Sequence, residues 1–261
     1  MNWLETLLKQ HDEFESPKSF WYWAALASIS AVMKDQVWLD QQLYKVYPNI
    51  YVMFHADSGL KKGPPVGMAK KLVTMVNNTH VISGRSSIQG ILKELGGAQT
   101  QPGGKIVTKS TAFICSSELS SSIVEDKVAT TILTDLYDRV YNEGEWKSLL
   151  KMESFKLMSP TITMLTATNQ AHSTDFFTGK DIRGGYFART FIIHEDERHT
   201  VNSLAGRVIN RPDYDKLALY LKELAKIKGE FLSLSAWEKS DYYTIEAEHK
   251  GKKQFLFHST I

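Results

Sequence analysis

Apolar positions along this chain switch between two spacings, and the switches mark out its elements. Trp3, Leu4, Leu7 and Leu8 recur at helical spacing, so residues 1–15 read as an amphipathic helix. Ser16-Pro17 follows as a cap with proline at the first helical position. From Lys18 to Lys34 the chain is apolar nearly all round, carrying Phe20, Trp21, Trp23, Ala24, Ala25, Leu26 and Ile29, which predicts a helix buried between layers. Trp21 and Trp23 could stack on a nucleobase, but their apolar neighbours favour a core role. Gln36 to Tyr47 alternates like a small hairpin. Pro48-Asn49 then bounds a run of strand formers, Ile50 to Phe54, and Val66 to Val76 returns to helical spacing.

The same reading continues to the end of the chain. A short strand is expected at 79–83, and Ser86-Ser87 caps a helix running to Leu95. Residues 96–104 are a glycine-rich connection, able to reach a ligand but more simply a surface loop. Strands are expected again at 111–115, 159–170 and 190–194, with a helix over Ala129–Tyr141 and a hairpin over Lys147–Met158. Tyr186 to Arg189 reads as a short helical link, and 195–210 as a charged linker. Tyr214 to Lys228 is a helix with Leu217, Leu221 and Leu224 as its stripe. A short strand over 231–234 and a charged helix over 236–249 come last, and residues 251–261 complete no evident element.

Strand starts near 50, 79, 111, 161 and 190, separated mostly by helices, predict an α/β fold. Its central sheet would be mainly parallel, of about five strands, with helices on both faces and a helical N-terminal extension. The expected division is 1–47, a helical region and hairpin; 48–200, the core; and 201–261, a shortened C-terminal helical region.

Composition narrows the class. An apolar content of 43% and a charged content of 23% over 261 residues suit a globular chain with an ample core. A net charge of +2 does not by itself imply a nucleic-acid partner. The single cysteine, Cys115, has no partner for an internal disulfide and points to a reducing compartment. No apolar run reaches membrane-spanning length and no signal peptide is evident, so a cytoplasmic location is expected.

The chemistry gathers where strand 50–54 gives way to the next helix. Asp57-Ser58-Gly59-Leu60-Lys61-Lys62-Gly63 is a polar turn ending in two lysines, followed by Pro64-Pro65. Strand, tight turn with lysine and helix is the layout of a loop that cradles phosphate on backbone N–H groups. Against G-x-x-x-x-G-K-[ST], only Lys62 matches: Ala56 and Lys61 stand at the glycines and Gly63 at the hydroxyl that holds Mg²⁺. The alternative is an ordinary turn carrying two solvated lysines.

Three more positions suit a nucleotide site. Ser116-Ser117-Glu118 ends strand 111–115, where Glu118 could act as a general base or anchor metal-bound water, with Ser117 as an uncharged metal-side partner. Glu118 could equally be a helix-start carboxylate. Thr168 and Asn169 end strand 159–170, where a polar group can position water; they are also common turn residues. Arg189 is placed to project from a domain edge toward a neighbour's phosphate, or to pair with a carboxylate on its own surface. All four signals are expected at the carboxyl ends of the strands. His55, His194 and His199 lack zinc-site spacing.

Four segments together carry a resemblance: Pro48–Val52, Asp57–Lys62, Ser116–Ser120 and Gly184–Arg189, with Phe20-Trp21 in the opening helix. Over roughly residues 15 to 250 the chain resembles a domain family of phage, plasmid and mobile-element replication proteins, of primase–helicase-associated type and similar to RecA/AAA+ P-loop ATPases. The resemblance implies an ATP- and Mg²⁺-dependent helicase or translocase, acting on single- or double-stranded DNA with other replication proteins in a bacterial or phage-infected cell, and assembled as a homo-oligomeric ring. It implies that Lys62 contacts the β/γ-phosphates, that Glu118 is the acidic-strand residue, that Asn169 senses the attacking water and that Arg189 is offered to a neighbouring subunit. Ala56, Gly63 and Ser117 depart from the family pattern, so a non-hydrolysing DNA-binding or scaffolding module stands as the alternative.

Overall fold

The computed structural model describes residues 2–84, 86–96, 110–117, 127–138, 145–149, 154–169, 185–201 and 211–231. Its centre is a five-stranded, all-parallel sheet built from β3 (Tyr51–Ala56), β4 (His80–Ser83), β5 (Thr111–Ser116), β8 (Thr161–Asn169) and β9 (Thr190–His194), in the order β4-β5-β8-β3-β9. The first core strand therefore lies inside the sheet, with β8 on one side and β9 on the other. Strands 50–54 and 111–115 share this sheet, separated by β8.

Helices cover both faces, and the alternation of side chains along each strand divides them between two cores. Val52, Phe54, Phe113, Cys115, Leu165 and Ala167 face α1 (Trp3–Gln10), α2 (Lys18–Met33), α3 (Gly63–Val76) and α7 (Tyr214–Leu224). Tyr51, Met53, Ala112, Ile114, Ile162 and Met164 face α4 (Ile88–Gly96), α5 (Lys127–Tyr137) and the short α6 (Gly185–Ala188). Burial on both sides is why these strands read as nearly continuous apolar runs. Phe54 is fully buried and stacks on Phe20 of α2 at 4.4 Å between centroids. The Tyr51 hydroxyl donates to Leu133 O at 3.0 Å, tying β3 to α5.

Helix α2 packs against α3, β8, α1, α7 and β3, which accounts for its lack of a polar face. Trp21 is buried beside His11 and Phe14, and Trp23 packs on Phe191, so both take the core role. Helix α1 is shorter than expected. It starts on a capping box between Asn2 and Glu5 and stops at His11. Ser16 does not cap α2; Pro17 holds the N-cap position without a side-chain bond. Helices α5 and α7 also end earlier than their apolar spacing predicts.

Two small sheets stand apart. The expected hairpin is β1 (Val37–Asp40) with β2 (Lys45–Val46), and β1 also pairs in parallel with β10 (Gly229–Glu230). Residues 232–234 of the strand expected over 231–234 lie outside the described residues. The second hairpin, β6 (Glu145–Leu149) with β7 (Ser154–Met158), is antiparallel as expected. The glycine-rich connection, Glu118 and the helix expected at 236–249 lie outside the described residues. Among the described residues no helix is long and apolar enough to cross a membrane.

Candidate functional site

The turn 57–62 runs from the end of β3 to the start of α3 at the carboxyl rim of the sheet. Leu60 is its anchor: the side chain is buried and its N–H donates to Asp57 O at 3.4 Å. Asp57, Ser58, Gly59 and Lys61 are exposed, and Gly63 opens the helix. Two residues hold left-handed backbone, Gly59 at φ 94° and Lys61 at φ 55°. Lys61 occupies the position where the phosphate-loop pattern has its second glycine. A side chain there costs about 1–2 kcal/mol, so neighbours must enforce the conformation. Ser16 Oγ–H donates to Lys61 O at 2.7 Å, and Lys61 Nζ lies 3.5 Å from Glu15 Oε2.

Lys62 turns inward. Its Nζ donates to Ala56 O at 2.6 Å and to Asp57 O at 2.9 Å. The ammonium is thus held at the root of the loop by two neutral carbonyls. The amide cradle is thinner than usual. Pro64 and Pro65 lie in the first turn of α3 and contribute no N–H, so the macrodipole and the lysines supply more of the attraction for an anion.

Asn169 is the last residue of β8 and pairs in register with Ala56, immediately before the loop. On the other side of β8, Ser116 pairs with Thr166, so Ser117 emerges exposed at the same rim. Loop, Asn169 and Ser117 are therefore brought to one edge by three adjacent strands.

Arg189 is not at that edge. It precedes β9, and Thr190 pairs with Tyr51 at the amino end of β3, so Arg189 stands about 20 Å from the loop rim. The expectation that it falls at a carboxyl end is corrected. A parallel sheet needs a crossover back to the amino rim before each new strand, and Arg189 closes such a crossover. It pairs with a carboxylate on its own surface: Nε donates to Asp138 Oδ1 at 2.8 Å, Nη2 to Asp138 Oδ2, and Nη1 to Gly185 O at 2.8 Å. The Asp138 hydrogen bonds push its pKa further up.

Three features escaped the sequence reading. The segment after β9 returns over the loop, so Arg198 approaches Gly59 and pairs with Glu15. His55 and His194, neighbours across β3 and β9, place their Nδ1 atoms 2.8 Å apart, and His194 Nε2 lies 3.0 Å from Asp196. Burial lowers the His55 pKa, and His194 and Lys62 lower it further. The Cys115 thiol is buried and pushed up to about 11, so it is an inert core group.

The cationic set suits a polyphosphate. It suits Mg²⁺ poorly: Gly63 brings no side-chain oxygen, and among the described residues no group of three or more His, Cys, Asp or Glu could hold a metal ion. In comparisons with known proteins, no family model matches the chain and no curated protein matches it significantly.

Proposed function

We propose that the turn 57–62 binds the phosphates of a nucleoside triphosphate, and that the chain is the nucleotide-binding core of a RecA/AAA+-type helicase or translocase acting on DNA. The observation that carries this is the inward-turned Lys62 at the root of the loop, next to a strand ending in Asn169. A bound polyphosphate would draw the Lys62 ammonium from the Ala56 and Asp57 carbonyls to its own oxygens, exchanging neutral acceptors for charged ones. Asn169 would orient a water toward the terminal phosphate. ATP is the ligand the resemblance implies, and DNA, a ring of like subunits and other replication proteins are its implied partners.

A second reading is favoured by Gly63 and Ser117. With neither a hydroxyl after the lysine nor an aspartate before position 118, the chain would bind nucleotide without turnover and serve as a DNA-binding or scaffolding module.

Titration with ATP and with a slowly hydrolysed analogue, each with and without Mg²⁺, tests both. Binding that raises the melting temperature, and that Lys62→Ala abolishes, supports the loop reading. Hydrolysis stimulated by DNA selects the translocase. Binding without hydrolysis selects the module, and no binding under any condition overturns both.

A further inference from the structure

The segment after β9 does more than leave the sheet. The His199 N–H donates to Glu15 O at 3.1 Å, fastening residues 195–201 to the stretch between α1 and α2. Arg198 Nη1 donates to Glu15 Oε1 at 3.3 Å. The other terminal nitrogen, Nη2, stands 3.4 Å from the place a β-carbon on Gly59 would take. The guanidinium is thus pressed against the middle of the loop and held from behind by a carboxylate. That carboxylate is itself only 20% exposed and reaches Lys61 with its second oxygen.

We propose that Arg198 contacts the phosphates of the nucleotide bound by its own subunit, with Glu15 as its positioning residue. This rests on the reading of 57–62 as a phosphate site and adds a ligand to it. The loop lacks backbone N–H groups at Pro64 and Pro65 and a side-chain hydroxyl at Gly63, and a guanidinium supplies two parallel N–H groups of the kind phosphate takes best. Arg189 cannot fill this place in its own subunit, because it is bound to Asp138 at the opposite rim. Glu15 sets the angle of the fork and offsets part of the mutual repulsion of Arg198 and Lys61 until a polyanion arrives.

The test compares ATP with inorganic tripolyphosphate on the full chain by calorimetric titration. Arg198→Ala is expected to weaken both by a common factor of about ten to a hundred. Arg198→Lys keeps the charge and loses the fork, so it should fall between wild type and Arg198→Ala; it also serves if the alanine variant does not fold. Glu15→Gln keeps an acceptor for Nη1 and removes a competing charge, so tripolyphosphate binding should tighten about two- to fivefold. Equal affinities for wild type and both Arg198 variants would overturn the proposal while leaving the loop reading intact. So would a loss confined to ATP, which would put Arg198 on the base or sugar. Wild-type protein that binds neither probe would overturn the loop reading, and this proposal with it.

Discussion

Asn169 ends β8 in register with Ala56, the last residue of β3, so its backbone stands beside the start of the lysine loop. This neighbourhood separates two tasks. On the proposed reading, Lys62 within the loop would serve binding and Asn169 beside it would act on whatever approaches a bound phosphate. Asn169→Ala is therefore expected to leave ATP affinity within about twofold while lowering any hydrolysis by about 10²-fold. Single-turnover hydrolysis alongside equilibrium binding checks this, and a parallel loss of both would assign Asn169 to binding.

The loop's two glycines should respond in opposite ways. Gly59 has φ 94° with Arg198 against it, so Gly59→Ala is expected to cost about 1–2 kcal/mol. Gly63 has nothing within 4 Å of where its β-carbon would stand and opens a helix. Gly63→Ser should therefore fold as the parent does and restore the missing hydroxyl. Its ATP binding should become more dependent on Mg²⁺, read as the ratio of affinities with and without the ion. An unchanged ratio would show that the hydroxyl position does not face the phosphates.

Acid should weaken the fold through histidine. His11 is 1% exposed, with Nδ1 2.7 Å from Leu7 O and Nε2 3.3 Å from the Tyr214 hydroxyl. With its proton on Nδ1 the neutral ring donates to the Leu7 carbonyl and accepts from the Tyr214 hydroxyl. Burial lowers its pKa below 6.5 despite the Leu7 carbonyl, and His55 is lowered as well. The unfolded chain then takes up protons before the folded one, so this stability is present above about pH 6.5 and lost as pH falls through the lowered folded values. Thermal melts from about pH 7.5 to 5 should show a falling melting temperature. His11→Gln should lower the melting temperature at neutral pH and flatten that slope.

Arg189 and Asp138 form a forked pair whose side chains are 28% and 31% exposed. Asp138→Ala is expected to cost about 1–2 kcal/mol, less than a fully buried pair would, because solvent screens what remains. Neither Asp138→Ala nor Arg189→Ala should change ATP affinity at the subunit's own loop. A fall in affinity for either would contradict the placement of Arg189 at the amino rim. A service to a neighbouring subunit would appear only as a concentration-dependent loss of hydrolysis.

Close approach makes one further demand. A β-carbon on Gly185 would stand 2.9 Å from Thr134 Cγ2 and 3.2 Å from Arg189 Nη1. Gly185→Ala must push α6 away from α5, and a cost of about 1–3 kcal/mol is expected by chemical denaturation. Thr134→Ala in the same chain should recover part of it.

Much of the scaffold was legible because its signals are local. Strands buried on both faces produce unbroken apolar runs, and the helices between them produce the 3.6-residue stripe, so alternation alone implied a parallel sheet with two covered faces. The polar turn 57–62 and the terminal Asn169 stood out because polar residues interrupt apolar strands there. Chain order misled at Arg189, since being next to a strand does not say which end of the sheet a residue occupies. Ser16 looked like a helix cap by its neighbour Pro17, yet its hydroxyl went to Lys61 O.

What the sequence by itself determined, then, is the succession of elements and the strand-to-helix turn that carries Lys61 and Lys62, since both follow from neighbours along the backbone. What only the tertiary structure decided is the company that turn keeps. Glu15 and Arg198 are 183 positions apart and meet only because β9 pairs with β3 and releases the chain at the loop's edge. Hydrogen bonding between strands sets that edge, and no spacing within a segment encodes which strands will lie side by side.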